Sequence, residues 1–150
     1  MNLYLDTSAL IKRYVRETGS QEVTALLQQS EIIGTAMVTY VETTATFAKI
    51  VRMGLQNQVV VHDKLRIFHR DWRHITQVPV TERLIVLAGD LAWKYQLRGY
   101  DAVHLAAAII WQELLSAPIL FATFDKRLWQ AARDARLTPF PDNLSSFLAR

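Results

Sequence analysis

The chain predicts an α/β fold in which helices cover both faces of a mainly parallel sheet of four to five strands. Two patterns predict it: the strand candidates are short, apolar and not alternating, and helical stretches follow them in turn. Length supplies a third, because 150 residues can bury a full core unaided. With no repeat at solenoid periods and no Pro/Gly-rich linker, one domain over residues 1–150 is expected.

Taken in order, residues 2–6 form the first apolar strand run. Residues 20–29 read as an amphipathic helix, with Val23, Leu26 and Leu27 on one face. After a strand run at 32–37, residues 38–53 carry Val38, Val41, Ala45 and Ala48 at helical spacing. Residues 58–73 do the same with Val61, Leu65, Phe68 and Trp72. A strand run at 75–78 precedes a helix at 82–96, whose stripe is Leu84, Ala88, Leu91 and Tyr95. Residues 101–115 are apolar nearly all round, including Ala106, Ala107, Ala108, Ile109 and Ile110, the pattern of a helix buried against a sheet. A strand run at 119–123, a short helix at 126–135 and a weaker strand run at 137–140 complete the series.

Composition excludes several classes. There is no cysteine, so disulfide scaffolds, iron–sulfur centres, thiolate zinc sites and cysteine nucleophiles are out, and a reducing, cytoplasmic setting fits. The longest apolar run, residues 105–111, is far short of the ~20 residues that cross a bilayer, so no membrane association is expected. Asp6 arrives too early for a signal peptide. With 17 Lys+Arg against 14 Asp+Glu the formal net charge is +3, a weak hint of polyanions.

Most acids sit in polar surroundings, but four are embedded in apolar sequence. Asp6 follows Leu3-Tyr4-Leu5, Glu42 follows Met37-Val38-Thr39-Tyr40-Val41, Asp101 opens Ala102-Val103-His104-Leu105-Ala106, and Asp125 follows Ile119-Leu120-Phe121-Ala122-Thr123-Phe124. Removing an ionised carboxylate from water costs several kcal/mol unless a cation, a metal or backbone donors compensate. Asp6, Asp101 and Asp125 stand where helices can begin, so each has the simpler reading of an N-cap, worth about 1 kcal/mol. Glu42 falls inside a helix, where capping is not available.

As a set they say more. Asp6 and Asp125 end strand runs, so a parallel sheet brings them to one edge, and helix starts at Asp101 and Asp125 would add positive dipole ends there. Converging carboxylates repel one another, and a divalent cation removes that repulsion. An all-oxygen set selects Mg²⁺ or Mn²⁺ over zinc, and such ions engage phosphate.

At this point the residues resemble the PIN-domain nucleases, and within them the VapC-type ribonuclease toxins of prokaryotic toxin–antitoxin pairs. The matching stretches are Asp6-Thr7-Ser8-Ala9-Leu10, Glu42, Tyr100-Asp101-Ala102-Val103-His104-Leu105-Ala106 and Thr123-Phe124-Asp125, in family order over nearly the whole chain. The resemblance implies a three-layer α/β/α PIN-like fold with Asp6, Glu42, Asp101 and Asp125 around one or two Mg²⁺ or Mn²⁺ ions. Ser8 looks like the small hydroxyl residue that supports the first aspartate, and Thr123 like the one before the last acid. Thr39 stands where serine is more usual. A small cognate antitoxin protein and a homodimer are implied as partners, with RNA as substrate.

The implied chemistry is metal-assisted hydrolysis of an RNA phosphodiester, water attacking phosphorus in line without a covalent intermediate. Asp6 and Asp101 are the expected main ligands, Glu42 a ligand or the group orienting the water, and Asp125 a ligand directly or through water. Rival chemistries fit poorly. Ser8 lacks a Gly-x-Ser-x-Gly elbow, a phosphatase built on Asp6 would want an acid where Ser8 stands, and five scattered glycines make no phosphate loop. The reading from another class is a catalytically silent PIN-like module that binds a partner protein; it has no reason to bear the repulsion of four acids.

His104, three residues after Asp101, reads as a satisfied histidine near the core. Residues 64–74 concentrate basic side chains with Phe68 and Trp72; they offer RNA contacts or simply a solvated face. Arg98, Lys126 and Arg127 lie nearer the acids and suit substrate binding better. Trp93, Trp111 and Trp129 are expected to pack the core or a subunit interface. Setting the four acids aside leaves 10 against 17 basic residues, an excess of +7 over the rest of the chain, which suits a polyanion-binding body around an acidic cleft.

Overall fold

The computed structural model describes residues 1–148. Strands β1 (Asn2–Leu5), β2 (Ile32–Ala36), β3 (Thr76–Val78), β4 (Ile119–Ala122) and β5 (Thr138–Phe140) form one sheet in the order β3-β2-β1-β4-β5, every neighbouring pair parallel. Helices α1 (Thr7–Leu10), α2 (Ser20–Gln29), α3 (Thr39–Arg52) and α4 (Gln58–Trp72) cover one face. Helices α5 (Glu82–Tyr95), α6 (Gly99–Leu115) and α7 (Lys126–Asp134) cover the other, and α8 (Ser145–Leu148) is the last described element. This is the expected three-layer arrangement, with five strands.

The central strand explains both layers. In β1, Leu3 and Leu5 point to a core shared with Phe47 and Phe68, whereas Tyr4 points to the opposite core. There Tyr4 stacks on Phe121 at 5.3 Å and meets Trp111 at 6.4 Å. Strand β2 comes so close to α6 that a Cβ on Gly34 would lie 2.8 Å from the Trp111 ring. Glycine here permits the close approach of backbone to an aromatic.

Helix α6 is buried nearly all round, as its composition requires: residues 102–108, Ile110 and Trp111 are all buried. Helix α4 buries Val61 and Phe68, and α5 buries Leu84, Ala88 and Leu91, the stripes their spacing predicts. Among the described residues no helix is long and apolar enough to cross a membrane.

Two expectations are corrected. First, α3 does not turn Val41, Ala45 and Ala48 inward: these are exposed, and the buried face is Thr39, Thr43 and Phe47. Threonine enters a core at least cost when its hydroxyl is satisfied while its methyl packs, as at Thr39; the buried Thr43 hydroxyl has no hydrogen-bond partner among the described residues. Thr39 shares a 2.7 Å hydrogen bond with Thr35, whose hydroxyl lies 2.6 Å from the Leu5 carbonyl. Second, Asp101 does not start its helix. Gln96 adopts a left-handed conformation (φ 54°) to end α5 and Leu97 is buried, so the short corner forces α6 to begin at Gly99, with Asp101 third in line. Of the tryptophans expected in the core or at a subunit interface, Trp93 lies outside the core, 89% exposed on α5. Trp111 is buried and the Trp129 indole donates to the Pro141 carbonyl at 2.7 Å. Helix α1 and the 3₁₀ turn at Ile11–Arg13 are too short for any periodic signal.

The sheet order sets the location of the site. From β1 the chain winds outward through β2 and β3, then returns to add β4 and β5 on the other side. Neighbouring strands β1 and β4 therefore lead away to opposite sides, and the crevice beyond their carboxyl ends is the place where open α/β sheets hold ligands.

Candidate active site

Asp6 follows β1 directly, and its N–H continues the ladder by donating to the Ala122 carbonyl of β4 at 3.1 Å. Its side chain is 3% exposed. The carboxylate accepts from the Ala9 N–H at 2.9 Å, capping α1 as the simpler reading anticipated. It also accepts from the Ser8 hydroxyl at 2.7 Å and from the Thr123 hydroxyl at 2.6 Å. Ser8 in turn accepts the Phe124 N–H at 2.9 Å, and Thr123 accepts the Asp125 N–H at 3.2 Å. These two hydroxyls thus tie the end of β1 to the turn after β4. Burial still pushes the Asp6 carboxyl above the usual carboxylate range, against the pull of His104, Thr123, Ser8 and the Ala9 amide. Among the described residues no Lys or Arg side chain bonds to Asp6, and its oxygens accept from Ser8, Ala9 and Thr123.

Glu42 lies in the first turn of α3. Its Oε1 accepts from the Thr7 hydroxyl at 2.8 Å and faces His104 Nε2 at 2.7 Å. A carboxylate can only accept, so Nε2–H donates, and Nδ1 then receives the hydroxyl of the fully buried Tyr4 at 3.0 Å. Burial pushes Glu42 up, but its contacts with His104 and Thr7 carry it to a net value below the ordinary one. His104 is 2% exposed and satisfied, as its surroundings in the sequence imply.

Asp125 caps α7 through Oδ1, which accepts the Leu128 N–H at 2.9 Å. Its Oδ2 and the Oδ2 of Asp101 share one guanidinium: Arg98 Nη2 is 3.1 Å from Asp125 and Arg98 Nε is 3.1 Å from Asp101. Burial and the neighbouring Asp125 charge raise the Asp101 carboxyl, while Arg98 opposes them.

A single network therefore links all four acids. Hydrogen bonds run from Asp6 through Thr123 to Asp125 and through Arg98 to Asp101; from Asp101 the link is one turn of the α6 backbone to His104, which bonds Glu42. The donor set is entirely oxygen, the chemistry of a hard divalent cation, and Arg98 shows that Asp101 and Asp125 accept a shared positive charge. As the side chains stand, no three His, Asp or Glu among the described residues are close enough to ligate one ion. The four form an inner pair held by neutral groups and an outer pair held by arginine.

Sequence reasoning named the acids, Ser8 and Thr123 and put Arg98 near them, but missed Tyr4, Thr7 and the bonds of Arg98 to Asp101 and Asp125. Thr7 is next to Asp6, and Arg98 precedes Asp101 by one helical turn, so spacing was the available signal. In the 64–74 stretch, Phe68 is fully buried and Asp71 accepts from Arg13, Tyr14 and Arg70. Part of that stretch is structural. Lys126, Arg127, Trp129 and Arg133 line a groove of about 920 Å³ that begins just past Asp125.

The sequence matches the family described as PIN domain over residues 3–134. It is 31% identical over 146 residues to Ribonuclease VapC45 of Mycobacterium tuberculosis (strain CDC 1551 / Oshkosh), covering 95% of this chain and 96% of that protein. PAE2754 from Pyrobaculum aerophilum superimposes with a TM-score of 0.64 at 15% identity, over 100% of this chain and 91% of its own. VapBC-5 from Mycobacterium tuberculosis, a member of the VapBC family of toxin–antitoxin systems, does so with a TM-score of 0.57 at 15% identity, over 92% and 94%.

Proposed function

This chain belongs to the PIN-domain family, and from that membership we propose that it is a Mg²⁺- or Mn²⁺-dependent endoribonuclease, the toxin of a toxin–antitoxin pair. The observation that carries the reading is the network joining Asp6, Glu42, Asp101 and Asp125 beyond the ends of β1 and β4. The similarity to a ribonuclease of the VapC type supports the reaction and the RNA substrate.

In this reading Asp6 and Asp101 are the main ligands, Glu42 is a ligand or orients the attacking water, and Asp125 acts directly or through water. The cation would supply charge stabilisation at the phosphate and an activated water. Ser8 and Thr123 hold the Asp6 carboxylate in one orientation, and His104 and Thr7 do the same for Glu42. Those donors hold Oε1, and among the described residues Oε2 carries no hydrogen bond. Lys126 and Arg127, exposed at the start of α7, suit contacts to the phosphates of the RNA strand.

The partners are a small antitoxin protein and a second copy of this chain, with action in the cytoplasm and all of residues 1–150 in one domain. Toxin–antitoxin assemblies among the structural neighbours support the first. Exposed Met37, Tyr40 and Val41, immediately before Glu42, give such a partner an apolar rim beside the carboxylates. Exposed Ile85, Val86 and Trp93 on α5 give an apolar face for self-association.

Metal separates this reading from a silent PIN-like binding module. Thermal denaturation with and without millimolar Mn²⁺ is the test: a working site is stabilised, by about 2.7 kcal/mol when free metal reaches ~100 times its dissociation constant. A melting temperature indifferent to Mn²⁺ and Mg²⁺ favours the module.

A further inference from the structure

Among the described residues, Arg98 is the one Lys or Arg side chain that bonds to any of the four acids, and it bonds to two of them. We infer that Arg98 is a resident counter-cation of the cleft, which a divalent metal displaces from Asp101 and Asp125 and which then binds a phosphate of the RNA strand. The inference rests on the metal-dependent reading above and assigns a residue to it.

The placement supports each half. The two carboxylates are largely buried while the Arg98 side chain is 75% exposed, so the guanidinium can leave without uncovering any core contact. Its backbone is the extended N-cap of α6 (φ −63°, ψ 154°), with no side-chain cap bond to break. The planar fork lets one arginine serve two acids 24 residues apart, with Nε on one and Nη2 on the other. That arrangement relieves the mutual repulsion that raises Asp101. A divalent cation on the same oxygens relieves it more strongly, and the guanidinium is then a displaced charge beside a like charge. The available anion is the substrate, and arginine matches phosphate as it matches carboxylate, through two parallel N–H donors.

Two effects of opposite sign follow. Removing Arg98 removes a competitor for the metal, so metal binds more tightly, whereas substrate binds more weakly. A purely structural arginine would weaken both. The contrast also depends on ionic strength, because the competing ion pairs are partly exposed and screened by salt.

The test is calorimetric titration of Mn²⁺ into the intact protein without RNA, for wild type, Arg98→Gln and Arg98→Lys. It is paired with steady-state cleavage of a short RNA at saturating Mn²⁺. Arg98→Gln is expected to bind Mn²⁺ roughly three- to tenfold more tightly, the effect of losing two partly exposed ion pairs, with the gain shrinking in high salt. Its KM for RNA rises about tenfold, more than kcat changes. Arg98→Lys keeps the charge but not the fork, so its Mn²⁺ affinity stays near wild type while its KM rises. If wild type binds Mn²⁺ and Arg98→Gln binds it no more tightly, or if its KM for RNA is unchanged, the role of Arg98 is overturned and the metal-dependent reading stands. If neither protein binds Mn²⁺, that reading fails and the inference falls with it.

Discussion

Nε2 of His104 lies 2.7 Å from Oε1 of Glu42, 62 residues away in the chain, inside a layer where His104 itself is 2% exposed. The same ring meets the Tyr4 hydroxyl at 3.0 Å, so a buried chain of polar groups runs from the central strand to a carboxylate at the cleft. Losing the ring leaves Tyr4 and Glu42 each short of a partner. His104→Leu is expected to cost about 2–4 kcal/mol in urea unfolding, the penalty of stranding buried polar groups. His104→Gln, which can still donate to Glu42, should lose about 1–2 kcal/mol less. Equal losses would mean that the histidine matters only as volume.

Thr123 makes the same point for Asp6. Its hydroxyl is the shortest donor to that buried carboxylate, at 2.6 Å, and valine matches its shape without the donor. Thr123→Val is expected to cost about 1.5–3 kcal/mol, because the lost bond is to a charged group. Thr123→Ser should recover most of it, measured by urea denaturation at neutral pH.

Gly34 tests the packing between sheet and helix. A methyl group there would lie 2.8 Å from the Trp111 ring, and both sides of the contact are rigid. Gly34→Ala is expected to destabilise the protein by about 1–3 kcal/mol through overpacking. Combining it with Trp111→Phe, which withdraws that ring edge, should cost less than the sum of the two single changes. Strict additivity in the double-mutant cycle would rule out the contact as the cause.

Asp71 gives a pH dependence outside the cleft. It accepts from Arg13 Nε at 2.8 Å, from the Tyr14 hydroxyl at 3.0 Å and from Arg70 at 3.1 Å, tying the turn after α1 to the end of α4. Burial raises its carboxyl, but the Arg13 and Arg70 hydrogen bonds outweigh burial and hold it below the usual range. A depressed folded value means that the stabilisation is fully present above the unfolded pKa of about 3.9 and is lost as pH falls through the folded value. Asp71→Asn should therefore be about 1–3 kcal/mol less stable than wild type near pH 7, with the gap closing below about pH 4. A gap that stays constant down to pH 3 would contradict the assignment.

Much of this was legible in the sequence because burial leaves a pattern. The apolar strand runs, the all-round apolar helix α6 and the stripes of α4 and α5 appear at the predicted places. Helix α3 was misread because its buried face is made of Thr39 and Thr43, whose hydroxyls make them look polar, while Val41 and Ala45 face outward. Asp6 and Asp125 could be placed at one sheet edge from strand ends alone. How the acids are held could not, since Arg98 reaches Asp125 across 27 residues and Thr123 reaches Asp6 across 117. Such contacts are created by the return of β4 beside β1, and no local period encodes them.

If these carboxylates hold a divalent cation, RNA cleavage depends on both. The most direct measurement is cleavage of a defined RNA by the purified chain with Mn²⁺ or Mg²⁺, with chelator, and in the variants Asp101→Asn and Asp6→Asn. Asp101→Asn carries the weight of the comparison, because Asp6 also caps α1 and its replacement strains the fold. Cleavage is expected to require the metal, to stop with chelator and to fall at least about a hundredfold in each variant, the scale of losing an electrostatic catalytic group. Undiminished cleavage by a folded Asp101→Asn protein, or cleavage indifferent to chelator, would contradict that expectation.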